Sequence, residues 1–141
     1  MSGKPLGKWF FSRLVGYIAP YTATIGARVE VLEAGHGVVV LKDRRGVRNH
    51  LRSVHAIALV NLAEMVTGLT LMNSLPDGMR GILTGIQISY LKKARGRLVA
   101  ECNCEIPRSG EEQKVIVTGE IKDRQGDAVA VAQATWLIGP E

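Results

Sequence analysis

The chain has 141 residues, 46% apolar, 22% charged and 5% aromatic, a mix that describes one globular domain able to bury about two-thirds of its unfolded surface. A disordered chain and a two-domain chain are both excluded on that count. Eighteen Lys and Arg against thirteen Asp and Glu leave a net charge of +5, which suits an anionic ligand and is too small for a nucleic-acid-binding tail.

Trp9, Phe10, Leu14, Tyr17 and Ile18 recur at spacings of three and four, which predicts an amphipathic N-terminal helix over residues 1–20 closed by Pro20. Arg13 interrupts the apolar run and no small-residue cleavage pattern follows, so the segment does not read as a secretory signal. Two strand-like runs come next, Thr24 to Leu32 and Gly37 to Lys42. Glu33-Ala34-Gly35-His36 between them reads as a hairpin turn, with His36 as a solvated loop imidazole. The basic, irregular stretch from Asp43 to Arg52 leads to Ser53, which is placed to cap a helix.

From Val54 to Met72, nineteen residues carry one charge and apolar side chains on every face, which predicts a long helix buried all round. Its length approaches the roughly 20 residues of a membrane span. Against a span, His55, Asn61, Glu64, Thr67 and Thr70 are polar, and the strands beyond need an apolar element to cover. A core helix is therefore the expectation.

After the turn Asn73 to Gly78 come four strand-like runs, Ile82 to Lys92, Arg97 to Ile106, Lys114 to Asp123 and Ala128 to Ile138. Their three connections all read as hairpins. Along the second run Ala100, Cys102, Cys104 and Ile106 point one way and Glu101, Asn103 and Glu105 the other, so both cysteines are expected as small core residues. With no further Cys and no nearby His they assemble neither a disulfide framework nor a metal site, and the chain reads as one for a reducing, cytoplasmic compartment. The element order predicts an α+β fold, a single domain over 1–141 in which a six-stranded antiparallel sheet curls round the long helix.

Glu64 stands out chemically, because a carboxylate amid an apolar helix must be paired, protonated or exposed in a cleft. At the helix start the backbone N–H groups of Val54, His55 and Ala56 lack intrahelical acceptors, and Asn49 and His50 lie just ahead of them. Donors for a carbonyl oxygen together with a carboxylate are the parts of an acyl-transfer site. Ala56 and Glu64 lie about 12 Å apart along the helix at roughly 1.5 Å per residue, too far to meet at one carbon. A shared site then requires Glu64 of a second copy, with two helices antiparallel across a twofold axis. The clusters Lys92, Lys93, Arg95, Arg97 and Arg44, Arg45, Arg48, Arg52 offer ligands for phosphates. The plainer alternative for them is a solvated charged edge.

The stretch from Asn49 through His55-Ala56-Ile57 to Leu62-Ala63-Glu64 resembles the motif of hotdog-fold acyl-CoA thioesterases of the phenylacetate-pathway and 4-hydroxybenzoyl-CoA type. In that motif Asn, His-Gly-Gly and Leu-Ala-Asp or Glu recur at these spacings. Residues Thr84 to Arg95, TGIQISYLKKAR, are similar to the family's following strand. The resemblance spans residues from about 24 to 138 and implies a hotdog fold with an added N-terminal helix, in an uncharacterised subgroup.

By the same resemblance, the Ala56 N–H polarises the thioester carbonyl and Asn49 orients the carbonyl or the water. Glu64 of the opposite protomer is nucleophile or general base, Thr84 is an auxiliary hydroxyl holding the lytic water, and His55 shapes the helix start. Arg48, Lys92, Lys93 and Arg95 are expected to bind the substrate. Coenzyme A enters as part of that substrate, with no metal and no separate cofactor. Homodimers, pairing into homotetramers, are the expected assembly. No nucleic-acid partner is expected, since the basic residues are not interleaved with aromatics. The motif's two glycines are Ala56 and Ile57 here, which redirects the acyl pocket. The alternative function is a non-catalytic acyl-CoA or acyl-carrier binding protein.

Overall fold

The structure, a computed structural model, describes residues 23–105, 107 and 110–141. The N-terminal helix expected over 1–20 lies outside the described residues. Within them the chain forms β1 (Arg28–Glu33), β2 (His36–Leu41), a 3-10 turn (Arg45–Val47), α1 (Ala56–Ser74), β3 (Met79–Tyr90), β4 (Leu98–Asn103), β5 (Gln113–Lys122) and β6 (Ala128–Pro140). The six strands make one antiparallel sheet in the order β1-β2-β4-β5-β6-β3.

That order corrects one expectation. β4–β5 and β5–β6 are hairpins, but β3 does not pair with β4: it forms a long ladder with β6, from Met79↔Pro140 to Tyr90↔Ala130, at the far edge of the sheet. β2 occupies the other side of β4, with Val39 opposite Ala100. The link from Leu91 to Arg97 is therefore a crossing past the ends of β6 and β5. Local turn chemistry is the same for a hairpin and for such a crossing, so only the pairing partners distinguish them.

The helix packs on one face of the sheet, and twelve of its nineteen residues are buried. Leu62 and Leu71 of the helix meet Leu41, Leu98, Ile121 and Ile138 in a single core. Two strand glycines allow the close approach: a Cβ at Gly37 would collide with Thr70 Oγ1, and one at Gly119 would lie 3.1 Å from Thr67 Cγ2. Three of the helix's buried hydroxyls are satisfied within it. Thr67, Thr70 and Ser74 donate their hydroxyls to the carbonyls of Ala63, Val66 and Thr70 at 2.9, 2.6 and 2.7 Å, the return bond such residues make inside helices. α1 is long and apolar enough to cross a membrane, but most of it is interior to this domain.

The helix is not buried on every side, however. Ile57 is 56% exposed, and Val60 and Glu64, one and two turns on, are half-buried. These three residues form a stripe left uncovered by the described part of the chain.

Candidate active site

The helix begins at Ala56, two residues later than its apolar pattern suggests, because other parts of the chain take the preceding N–H groups. Val54 N–H donates to Ala94 O and His55 N–H to Val47 O, each at 2.7 Å, which holds both residues extended. Ser53 does not cap the helix. The cap is His55, whose Nδ1 accepts from the Ile57 N–H at 3.0 Å, so its imidazole carries the proton on Nε2. Of the donors at this terminus Val54, His55 and Ile57 are occupied. Among the described residues no acceptor meets the Ala56 N–H, and a helix N-terminus left open in this way favours negative charge or a polarised oxygen.

Asn49 forms a knot just before the helix. Its Oδ1 accepts from the Leu51 N–H at 2.9 Å, the Ser53 N–H at 3.2 Å and the Ser53 hydroxyl at 3.1 Å. The backbone adds Asn49 N–H to Ser53 O at 2.7 Å and Arg52 N–H to Asn49 O at 3.2 Å. Arg52 sits at φ 59°, in the left-handed region that a tight reversal demands. The side-chain oxygen is thus spent on the loop, and the amide nitrogen makes none of these bonds.

Glu64 lies on the uncovered stripe, and among the described residues no cation or donor meets its carboxylate. Of the three options its sequence context allowed, pairing is not met among the described residues, and the side chain is half-buried. Thr84 stands at a register shift between Leu83 and Gly85, where β3 carries one residue more than β6, and its hydroxyl donates to Thr135 O at 3.2 Å. Bulges of this kind re-aim side chains beside functional sites. Within one chain Ala56 and Glu64 stay about 12 Å apart along the helix.

Tyr90 was not singled out by its chemistry in the sequence, yet its hydroxyl donates to Ala56 O at 2.9 Å. This ties the end of β3 to the first turn of the helix. Burial raises the phenol pKa above its ordinary value, so the group stays a donor. The available signal was a tyrosine ending a strand, since a partly buried Tyr O–H needs a partner. Ala94, whose carbonyl takes the Val54 N–H, gave no signal, because a backbone oxygen is common to every residue.

The basic residues divide into two groups. Lys92 Nζ donates to Asp123 Oδ2 at 2.7 Å, Asp127 Oδ2 at 2.8 Å and Gln125 Oε1 at 3.0 Å, which uses all three ammonium donors. These bonds, the one to Asp123 foremost, raise the Lys92 pKa and lower that of Asp123. Arg48 Nε is bonded to Asp43 Oδ1, and Asp43 Oδ2 takes the Gly96 N–H at 2.7 Å. Burial opposes ionisation of Asp43, but Arg48 and the Gly96 N–H outweigh it and its pKa falls. Lys92 and Arg48 thus hold the two loops in place. Lys93 is exposed with no ion-pair partner among the described residues, and Arg95 donates to Leu51 O at 3.3 Å.

A groove of about 590 Å³ runs between Lys93, Arg95 and Gly96 on one wall and Asp123, Arg124 and Gln125 on the other. A larger opening of about 1040 Å³ lies where β4 and β5 diverge beyond the Cys102↔Gly119 pair, with Leu71, Val115 and Val117 in its lining. Leu71 is fifteen residues beyond Ala56, about 22 Å along the helix, so this opening stands apart from the helix-start donor. Among the described residues no group of three His, Cys, Asp or Glu side chains is arranged to hold a metal ion.

A six-stranded antiparallel sheet wrapped on one central helix is the hotdog fold. The chain belongs to the DUF4442 family, described as a domain of unknown function, whose profile matches residues 7–138. A crystal structure from structural genomics is 32% identical, with a TM-score of 0.83 over 93% of this chain and 88% of the other. A Pseudomonas aeruginosa protein described as a probable thioesterase of unknown function is 22% identical, with a TM-score of 0.82 over 93% and 95%. A hypothetical thioesterase from Streptococcus pneumoniae TIGR4, solved with coenzyme A, is 22% identical with a TM-score of 0.69 over 82% and 90%. The comparison with curated proteins gave no match.

Proposed function

We propose that the protein hydrolyses acyl-CoA-type thioesters at a site shared between two copies of the chain. The observation that carries this reading is the uncovered stripe Ile57, Val60 and Glu64, which starts beside an open Ala56 N–H and ends on a carboxylate without a partner among the described residues. Two such helices crossing antiparallel about a twofold axis put Glu64 of each opposite Ala56 of the other, which the roughly 12 Å separation within one helix forbids. Exposed Tyr90 and Leu91, at 47% and 59%, adjoin the same helix start and extend the apolar face available to a partner. Pairing of such dimers into tetramers belongs to the same reading and adds nothing to the site.

In this arrangement the thioester oxygen lies on the Ala56 N–H, with the Asn49 amide as a second orienting donor. Glu64 of the partner takes a proton from water as the water oxygen bonds to the carbonyl carbon, or bonds to that carbon itself to give an acyl-Glu64 that water then opens. Collapse breaks the carbon–sulfur bond, and the thiolate leaves as coenzyme A with the freed proton. Thr84 holds the lytic water, and the phosphates fall to Lys93 and Arg95, because Lys92 and Arg48 are engaged elsewhere. A reading as an acyl-thioester-binding protein without turnover is favoured by one feature, the half-exposed Ile57 where the motif carries glycine.

Glu64→Gln decides between them. With a panel of acyl-CoA thioesters and a thiol reporter, turnover by the wild type should fall to background in this variant while its circular dichroism is unchanged. Equal turnover in the two proteins removes Glu64 from the mechanism, and saturable ligand binding without product in the wild type selects the binding protein.

A further inference from the structure

We propose that the substrate is a pantetheine thioester delivered on an acidic carrier protein, which docks on the basic end of the sheet beside the site. The proposal rests on the hydrolase reading above. The crossing segment after β3, the loop after β2 and the β5–β6 turn are brought together by the Val54–Ala94, Arg95–Leu51, Gly96–Asp43 and Lys92–Asp123 bonds. This one end holds ten cations, from Lys42 to Arg52, Lys92 to Arg97 and at Arg124, against three carboxylates, Asp43, Asp123 and Asp127. With eighteen cations and thirteen carboxylates in all, the remainder of the chain is slightly acidic. The positive charge is therefore collected on one face.

All three carboxylates of this end are already bound, by Arg48, Lys92 and backbone N–H groups. Lys42, Arg45, Arg52, Lys93 and Arg97 are exposed and have no carboxylate partner among the described residues, and Arg124, also exposed, feels Asp43 only through its charge, without a salt bridge. Leu41 pairs with Leu98, which sets Lys42 beside Arg97, and a Cβ on Gly96 would lie 3.1 Å from Arg124 Nε. Three neighbouring connections thus present a row of cations.

The phosphopantetheine arm of a carrier holds one phosphate, and Lys93 with Arg95 suffices for it. Lys42, Arg97 and Arg124 are in excess of what that one phosphate needs. Leu51, 47% exposed, stands among these charges, and an apolar residue rimmed by one sign of charge fits a protein surface of the opposite sign. Nucleic acid is the poorer fit, since the basic loops offer no aromatic row for bases to stack on.

The test uses the full-length protein and one acyl group presented three ways: on pantetheine, on coenzyme A, and on a small acidic acyl carrier protein. The variant is Lys42→Glu/Arg97→Glu/Arg124→Glu. The wild type should show a kcat/KM on the carrier at least about tenfold above that on acyl-pantetheine at low salt, a margin that closes toward about 0.5 M salt. The variant should lose about tenfold on the carrier and stay within about twofold on acyl-pantetheine. Equal kcat/KM on carrier and pantetheine, or a variant without effect, overturns the proposal. So does inhibition by anionic vesicles or RNA in a protein indifferent to the carrier. If the wild type hydrolyses none of the three, the hydrolase reading fails by itself. Docking is then decided by anisotropy of a labelled, unacylated carrier, where binding lost in the variant supports it and no binding overturns it.

Discussion

Replacing Asn49 with alanine should separate what its oxygen does for the fold from what its nitrogen does for the reaction. The oxygen accepts three hydrogen bonds, two of them from Ser53, which is 3% exposed. The Leu51 N–H can turn to water, whereas a buried donor left unpaired costs about 1–3 kcal/mol. With two donors on Ser53, Asn49→Ala should lose about 2–4 kcal/mol, a fall in Tm of about 6–15 °C for a domain of this size. Asn49→Asp keeps the acceptor oxygen and should hold stability within about 1 kcal/mol. It lacks the amide N–H groups, and if these orient the thioester carbonyl its kcat should fall about a hundredfold. Differential scanning fluorimetry and the thiol-release assay read the two effects separately. An Asn49→Ala protein that melts with the wild type would refute the knot, and an Asn49→Asp protein at full turnover would refute the donor.

Three further outcomes follow from the structure. Lys92→Met should lower Tm and leave KM for acyl-CoA unchanged, because its ammonium is bound to the β5–β6 turn; a raised KM at unchanged Tm would return Lys92 to the phosphates. The His36 ring bridges Glu101 at 2.7 Å and Glu33 at 3.2 Å, and these bonds, Glu101 first, raise its pKa above 6.5. The contribution is complete below the unfolded value and lost as pH rises through the folded one, so the Tm advantage of wild type over His36→Gln should shrink from pH about 6 to about 8.5. An advantage constant across that range would count against the bridge. Burial pushes the Cys102 thiol up to about 11, so iodoacetamide at pH about 8 should alkylate Cys104 and spare Cys102 in the native protein, as peptide mass mapping would record.

Much of this fold is written in local pattern. A period of two along Ala100, Cys102 and Cys104 places both thiols toward the core, and structure leaves Cys102 buried and Cys104 half-buried. The apolar run after Ser53 announces the central helix. The errors fall where one segment captures another's hydrogen bonds. Ser53 has the residue type of a cap, but Val47 and Ala94 claim the next two N–H groups and pass the cap to His55. Lys92 has the chemistry of a phosphate ligand, but the crossing of the sheet lays it against two aspartates. Glu64, by contrast, met no partner, and its oddity in the sequence survives as an unpaired carboxylate.

What the sequence determined by itself is the identity and periodicity of the elements, because an amphipathic pattern needs only near neighbours to express it. The charge surplus is equally a property of the sequence; its collection at one end is not. Only the tertiary structure decided that β3 takes the far edge beside β6, that three loops meet there, and that Ala56 alone among the first N–H groups of this helix start, Val54 to Ile57, is left without an acceptor. Each of these depends on which distant groups find one another first, and hydrogen-bond donors, having one proton each, go to whichever acceptor the fold brings within reach.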